Sequence, residues 1–231
     1  MTYVLHYAPD NASMIIRLAL EHRAIPYKKK LVNRAAREQT TAGFRGLNPN
    51  GQIPVLETPQ GPLFETGAIL LWLADTHGGL GPDPRSKARG DFLKWLFFAA
   101  NTLHPALRMI FYPEKYIAED HVTALRRGLQ THLHVQFTTI DQIAADKPSW
   151  LGDSAPTVLD FYLCALLRWS AIYPSYDEAQ WFDLSQYMAL AQICQKVEIL
   201  PCCNNLMHAE GLGRHPFTRP RYPNPLKGTA R

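Results

Sequence analysis

The chain has 231 residues and a mass of 26.2 kDa, which is enough to bury a full core in one or two domains. Much of its formal net charge of +4 lies after Glu210, where five Lys and Arg residues follow without any Asp or Glu, so the charge argues against a nucleic-acid surface. The N-terminus has no signal-peptide pattern and no stretch is long and apolar enough to span a membrane. We therefore expect a soluble, cytoplasmic protein.

The cysteines and histidines do not suggest a metal site. Cys164, Cys194, Cys202 and Cys203 all lie in the C-terminal third, without metal-ligand spacing to a histidine. The nine histidines contain no His-Glu-x-x-His pattern. We expect reduced thiols, no bound metal, and histidines that are packed or solvated.

Strands and helices alternate over the first 80 residues. Tyr3 to Tyr7 and residues 26–32 have the composition of strands, and Ser13 to His22 carries apolar side chains at helical spacing. Residues 34–43 are polar and expected to be helical, and an apolar helical run extends from Gly67 to about His77. With one hairpin between these two helices, the order β-α-β-α-β-β-α predicts an α/β layer with a mixed sheet.

The most informative segment runs from Asn48 to Thr66. It contains a turn, a short strand that begins near Pro54, a second turn that makes a hairpin, and Thr66 as a helix cap. If the Ile53–Pro54 bond is cis, the backbone N–H and C=O of Ile53 face outward and can pair with an extended peptide. The start of the next helix offers unpaired N–H groups to a carboxylate. The segment therefore predicts a groove for a small acidic peptide.

A Gly/Pro-rich linker from Gly78 to Pro84 divides the chain into domains at residues 1–80 and 85–212. No strand pattern follows the linker. Apolar residues at spacings of three and four predict helices, one of them continuous from Ser86 to Ile110, so the second domain is expected to be all-α. Thr157 to Asp160 is a variant capping box. Residues 213–231 contain four prolines and five basic residues and are expected to form an extended tail.

The N-terminal pattern, with a proline before the third strand, resembles the thioredoxin fold, whose redox members carry Cys-x-x-Cys at the start of the first helix. Here that place holds Asp10-Asn11-Ala12-Ser13, and the first cysteine of the chain is Cys164. Thiol–disulfide chemistry requires a thiolate at the site. A protein of this design that works on sulfur must therefore receive the sulfur from its ligand, and the peptide to expect in the groove is glutathione.

Over about residues 2–212 the chain resembles the soluble, bacterial-type glutathione transferases. The strongest match is Asn48 to Leu56 together with Glu65-Thr66, where the family usually has Glu-Ser; the segment 111–116 and the box near Asp160 support it. The resemblance implies a homodimeric detoxification enzyme that takes glutathione as co-substrate and activates its thiol for attack on a small hydrophobic electrophile. Related isomerisation, dehalogenation or peroxide reduction also fits.

The resemblance further implies how glutathione binds. The Ile53 backbone pairs with the cysteinyl part, with Pro54 in cis; Glu65 and Thr66 hold the γ-glutamyl end, and Gln52 lies near the glycyl end. Arg37 or Arg45 is expected to add positive charge at the glycyl end. The electrophile pocket is expected to be formed by apolar side chains, for which the candidates are Trp95, Phe98, Leu103, Phe111, Tyr112 and Tyr116.

The residue that activates the thiol is open at this point. Family members use a tyrosine, serine or cysteine near the end of the first strand or the start of the first helix, and Ala12 stands where cysteine-type members have theirs. Ser13, Asn11 and Tyr7 are alternatives to one another, and each also has a structural explanation, as a helix cap or as core. Asp10 would repel a thiolate. Because the usual residue is missing, a non-catalytic or weakly catalytic glutathione-binding protein is the alternative to an enzyme.

Overall fold

Four strands near the N-terminus form one mixed sheet in the computed structural model, which describes residues 2–153, 155–174 and 178–229. They are β1 (Tyr3–Tyr7), β2 (Tyr27–Leu31), β3 (Val55–Thr58) and β4 (Gly61–Phe64). Their order across the sheet is β2-β1-β3-β4, with β1 and β2 parallel and the other neighbours antiparallel. This is the thioredoxin-like arrangement that the sequence predicted.

The helices of this part are α1 (Ser13–His22), α2 (Ala42–Arg45) and α3 (Thr66–His77), and α1 packs against both β1 and α3. The helix predicted over residues 34–43 was wrong. Two separate turns are present instead, a 3-10 turn at Glu38–Thr40 and the single turn of α2. Arg37 has a φ of 54°, a left-handed conformation that interrupts a right-handed helix.

The rest of the described chain is mostly helical, as predicted. The helices are α4 (Arg89–Phe98), α5 (His104–Phe111), α6 (Val122–Ala145), α7 (Val158–Ile172), α8 (Met188–Glu198) and α9 (Pro201–Glu210). The predicted continuous helix from Ser86 to Ile110 is divided by a π-helical turn at Ala99–Leu103, because Pro105 has no N–H to donate to the preceding turn. Within the described ranges, no helix combines the length and apolarity that crossing a bilayer requires.

Helix α7 is the buried centre of the helical part, and its start is set by the capping box. Thr157 accepts the N–H of Leu159 at 3.2 Å, and the carboxylate of Asp160 accepts the N–H of Thr157 at 2.7 Å. The same carboxylate accepts the N–H of Gly152 at 2.7 Å, so it fixes the incoming loop as well. The box therefore places α7 in a defined register against its neighbours.

The C-terminal segment, residues 213–229, packs on the outside of α7 and α8. Arg168 of α7 donates to the carbonyls of Pro216 and Arg221, both at 2.9 Å. Glu198 accepts the N–H groups of Phe217 and Thr218, both at 2.7 Å, and the Phe217 side chain is buried. Residues 230 and 231 of the predicted tail lie outside the described residues.

Asp10 anchors the loop between β1 and α1. Its carboxylate accepts hydrogen bonds from Nε and Nη2 of Arg168 at 2.8 and 3.1 Å, from Nε1 of Trp169 at 2.9 Å and from the hydroxyl of Tyr173 at 2.8 Å. The side chains of Asp10 and Arg168 are both 0% exposed. One buried ion pair therefore joins the sheet, α7 and the C-terminal segment.

Glu210 lies behind the same loop. Its Oε2 accepts the N–H of Asp10 at 2.9 Å, and its Oε1 lies 3.6 Å from Nη1 of Arg17 without a hydrogen-bond partner in the described part of the chain. Burial raises the pKa of Glu210 to about 7, although the charge of Arg17 opposes the shift.

We expect Asp10→Asn to lower the free energy of unfolding by about 3–5 kcal/mol, because it leaves the buried guanidinium of Arg168 without its counter-ion. Urea titration followed by tryptophan fluorescence measures the change. The matched control is Asp91→Asn, whose partner Lys94 lies at 2.6 Å on the surface with both side chains more than half exposed. The control should change stability by less than about 1 kcal/mol; an equally small effect of Asp10→Asn would contradict the anchoring role.

The folded protein should favour a protonated Glu210, because its pKa of about 7 lies above the ordinary carboxyl value of 4.5. Between these two values the unfolded chain binds fewer protons than the folded one, so this contribution to stability falls as the pH rises. In urea titrations across that range, Glu210→Gln should gain stability relative to the original protein as the pH rises. A difference that does not change with pH would disprove this.

Candidate functional site

An open cavity of about 360 Å³ lies between the sheet and the helices. On one side it is formed by the starts of α1 and α3 and by the turn that precedes β3. On the other side it is formed by α5, by the turn that follows α5, and by the end of α7. We call this cavity the groove. Within the described ranges, no residue of the C-terminal segment lines the groove.

The turn before β3 presents an unpaired peptide edge to the groove. The Ile53–Pro54 peptide bond is cis, and both residues line the groove. The N–H and C=O of Ile53 make no hydrogen bond to any described residue. Buried Asn48 holds the turn, donating to the carbonyl of Gln52 at 2.8 Å and accepting the N–H of Asn50 at 3.0 Å. An extended peptide can therefore hydrogen-bond to Ile53.

Helix α3 begins at the groove with Glu65, Thr66 and Gly67. Glu65 has a φ of 69° and an exposed side chain, whereas Thr66 is buried in the first turn. A side chain at Gly67 would meet the Cβ of Ala100 at 3.2 Å, so the glycine lets the helix start close to the helical wall. The helix start attracts an anion and the Glu65 carboxylate attracts a cation. An α-amino acid group carries both charges.

Helix α1 also opens on the groove, through Asn11 and Ala12. The backbone N–H groups of these two residues find no acceptor in the described part of the chain. The side-chain oxygen of Asn11 is buried and has no partner there either. The start of α1 therefore offers unpaired polar groups and the positive end of a helix dipole to an atom bound beside it.

Of the three alternatives for the thiol-activating residue, the structure brings only Asn11 to the groove. Ser13 is fully buried and does not line it; its hydroxyl donates to the carbonyl of Ala8 at 3.0 Å and accepts the N–H of Ala8 at 3.3 Å. Tyr7 packs against the core outside the groove, where burial and then the charge of Glu210 raise its pKa. The hydroxyl of Ser13 therefore ties α1 to the end of β1.

Protein thiols are absent from the groove. All four cysteines are buried and unpaired. Burial raises the pKa of Cys202 to about 11 and also raises the pKa values of Cys164 and Cys203. No cluster of three or more potential metal ligands occurs among the described residues. Sulfur chemistry in the groove would have to use a thiol from the ligand.

His104, which sequence reasoning assigned no role, lies in the helical wall of the groove. Its Nδ1 is 2.8 Å from the hydroxyl of Tyr162, and its ring centroid is 5.5 Å from that of Trp169. Burial, followed by the charge of Arg108, lowers the pKa of His104 to about 4, so the imidazole is neutral at pH 7. The neighbouring Pro105 indicates from the sequence that a helix begins here, because proline is favoured in the first turn of a helix. It does not indicate that His104 faces a groove.

Of the residues expected near the glycyl end of glutathione, only some line the groove. Gln52 lies at the rim with Arg34, whereas the expected Arg37 and Arg45 do not line the groove. Arg34 donates to the hydroxyl of Tyr112 at 3.3 Å and so links the two walls.

Among the six apolar candidates, Phe111 and Tyr112 line the groove. Leu103 is fully buried, and Trp95 stacks on Trp150 with ring centroids 6.5 Å apart. The other two, Phe98 and Tyr116, lie outside the lining. The helical wall is therefore less apolar than the sequence suggested.

Comparison with known proteins agrees with this geometry. A family model for the glutathione S-transferase N-terminal domain matches residues 12–76. The chain is 28% identical over 211 residues to glutathione S-transferase GST-4.5 of Xanthomonas campestris. The aligned region covers 90% of this chain and 98% of that protein. It is 25% identical over 212 residues to glutathione S-transferase GstA of Escherichia coli O157:H7, with coverage of 90% and 98%. The structure of a sphingomonad glutathione S-transferase complexed with glutathione has a TM-score of 0.74 and 26% identity, covering 91% of this chain and 100% of that one.

Proposed function

We propose that this chain is a soluble glutathione transferase that binds glutathione in the groove and activates the thiol for attack on an electrophile. Its similarity to that family supports the proposal. The proposal rests on three elements that meet at one cavity. They are the unpaired peptide edge at Ile53, the start of α3 at Glu65, and the start of α1 at Asn11. Glutathione has one group for each of them, a peptide backbone, an α-amino acid and a thiol.

The proposed binding mode follows the charges of the groove. The cysteinyl backbone pairs with the N–H and C=O of Ile53. The γ-glutamyl carboxylate accepts from the start of α3 and from Thr66, while its ammonium group meets Glu65. The glycyl carboxylate lies near Gln52 and Arg34 at the rim.

Two contributions together are of the size needed to activate the thiol. Lowering a thiol pKa of about 8.5 by two units requires about 2.7 kcal/mol of preferential stabilisation of the thiolate. The start of α1 contributes about 0.3–1 kcal/mol, and a hydrogen bond from the Asn11 amide to a charged sulfur adds about 1.5–3 kcal/mol. Asp10 does not prevent this, because Arg168 compensates its charge at 2.8 Å. The thiolate then attacks an electrophile held against Phe111 and Tyr112.

The assembly and location are proposed from family membership. We expect a cytoplasmic homodimer with twice the 26.2 kDa mass of the chain. Light scattering after size-exclusion chromatography measures this mass.

Asn11→Ala should raise the thiol pKa of bound glutathione by about 1–2 units, because it removes a hydrogen bond to the thiolate worth about 1.5–3 kcal/mol. Ultraviolet thiolate absorbance, titrated against pH with saturating glutathione, measures the shift. Ser13→Ala and Tyr7→Phe serve as comparisons and should leave the pKa near that of the original protein.

A shift in Ser13→Ala or Tyr7→Phe, but not in Asn11→Ala, would reject Asn11 as the donor. Tight binding of glutathione by the original protein with an ordinary thiol pKa would instead identify a binding protein rather than a transferase.

Glu65→Gln should weaken glutathione binding about tenfold, because the neutral amide cannot pair with the γ-glutamyl ammonium group. Isothermal titration calorimetry gives the dissociation constant. Glu114→Gln, an exposed carboxylate outside the groove, is the matched control and should leave it unchanged. Equal dissociation constants for both variants would contradict the proposed position of the γ-glutamyl end.

A further inference from the structure

Two basic side chains in the helical wall of the groove have no acidic partner among the described residues. Arg108 lies on α5, one turn after His104, and Lys115 lies in the 3-10 turn Pro113–Lys115 that follows α5. Both line the groove. Among the residues that the structure describes, no carboxylate lies within ion-pair distance of either side chain. Their charges are therefore available to a ligand.

Aromatic side chains hold both cations in place. Arg108 donates from Nη1 to the hydroxyl of Tyr116, and its guanidinium carbon lies 5.7 Å from the centroid of that ring. The Nζ of Lys115 lies 4.4 Å from the centroid of the Tyr112 ring. An aromatic contact orients a cation without neutralising it. Each side chain is thus positioned but keeps its capacity to bind an anion.

The acidic residues that line the groove do not compensate these charges. They are Asp10, which is paired with Arg168, and Glu65, which lies at the start of α3 on the opposite wall. In the binding mode proposed above, glutathione places its ammonium group at Glu65 and its glycyl carboxylate near Arg34. Arg108 and Lys115 then remain for the second substrate.

We propose that the second substrate is an aromatic organic acid whose carboxylate pairs with Arg108 and Lys115. This inference rests on the transferase function proposed above and refines the small hydrophobic electrophile that the sequence suggested. The ring of the acid packs on Phe111 and Tyr112, and the planar guanidinium of Arg108 matches a carboxylate through two parallel hydrogen bonds.

The test compares two electrophiles that differ only in charge, para-chloro-meta-nitrobenzoate and its carboxamide. In both, the glutathione sulfur forms a bond to the chlorinated ring carbon, the C–Cl bond breaks, chloride leaves with the bonding electrons, and the thiol proton passes to solvent. Each kcat/KM is divided by the uncatalysed rate constant with glutathione, which removes the intrinsic difference in reactivity.

The original protein should favour the acid over the amide by about tenfold or more, as expected for one charge-assisted hydrogen bond. Arg108→Gln and Lys115→Gln should each move this ratio toward one without raising the KM for glutathione. The matched control is Arg127→Gln, an exposed arginine of α6 outside the groove, which should retain the ratio of the original protein.

A ratio near one in the original protein, or a ratio that Arg108→Gln does not change, would overturn the inference and leave the transferase function standing. A higher KM for glutathione in Arg108→Gln with an unchanged ratio would assign Arg108 to glutathione itself and also overturn it.

If neither electrophile is turned over, the proposed transferase function fails. The inference is then decided by calorimetric binding of para-nitrobenzoate and para-nitrobenzamide in the presence of S-methylglutathione. Preference for the acid that is lost in Arg108→Gln supports it, and equal binding of acid and amide rejects it.

Discussion

The buried ion pair between Asp10 and Arg168 is the interaction on which the groove depends. Both side chains are 0% exposed, and the same carboxylate also accepts from Trp169 and Tyr173. Because Asp10 directly precedes Asn11, the pair fixes the start of α1 against α7, and through Arg168 it also fixes the C-terminal segment. A buried charge without its partner is costly, so the loop has one strongly favoured position.

In the proposed mechanism, this constraint lets the groove activate a thiol without the tyrosine, serine or cysteine that the family uses. The position before the helix is occupied by a structural carboxylate, and the neutralisation of its charge by Arg168 leaves the dipole of α1 available to a sulfur anion. The proposed chemistry then needs one donor, the amide of Asn11. On the facing wall, the neutral imidazole of His104 adds no charge, so Arg108 and Lys115 determine the electrostatics there. The sheet side of the groove suits glutathione and the helical side suits an anion.

The features that the sequence predicted correctly are those encoded by neighbouring residues. The hairpin after Pro54 and the capping box at Thr157 each depend on contacts within a few positions. The start of α3 was predicted to within one residue, but Glu65 rather than Thr66 occupies the cap position. The placements that the sequence left open depend on the remainder of the fold. Ser13 has the right residue type beside the groove, but its hydroxyl turns back to Ala8. His104, Arg108 and Lys115 reach the groove only because α5 and the turn after it lie against the N-terminal part, and no local pattern records that contact.

In the proposed binding mode, the groove places the thiol of glutathione beside the start of α1. A crystal structure of the protein with glutathione bound will show where the thiol lies. We expect two backbone hydrogen bonds between the cysteinyl residue and Ile53, and a sulfur atom within hydrogen-bond distance of the Asn11 side chain. A sulfur atom at Ser13 or Tyr7, or glutathione bound outside the groove, would contradict it.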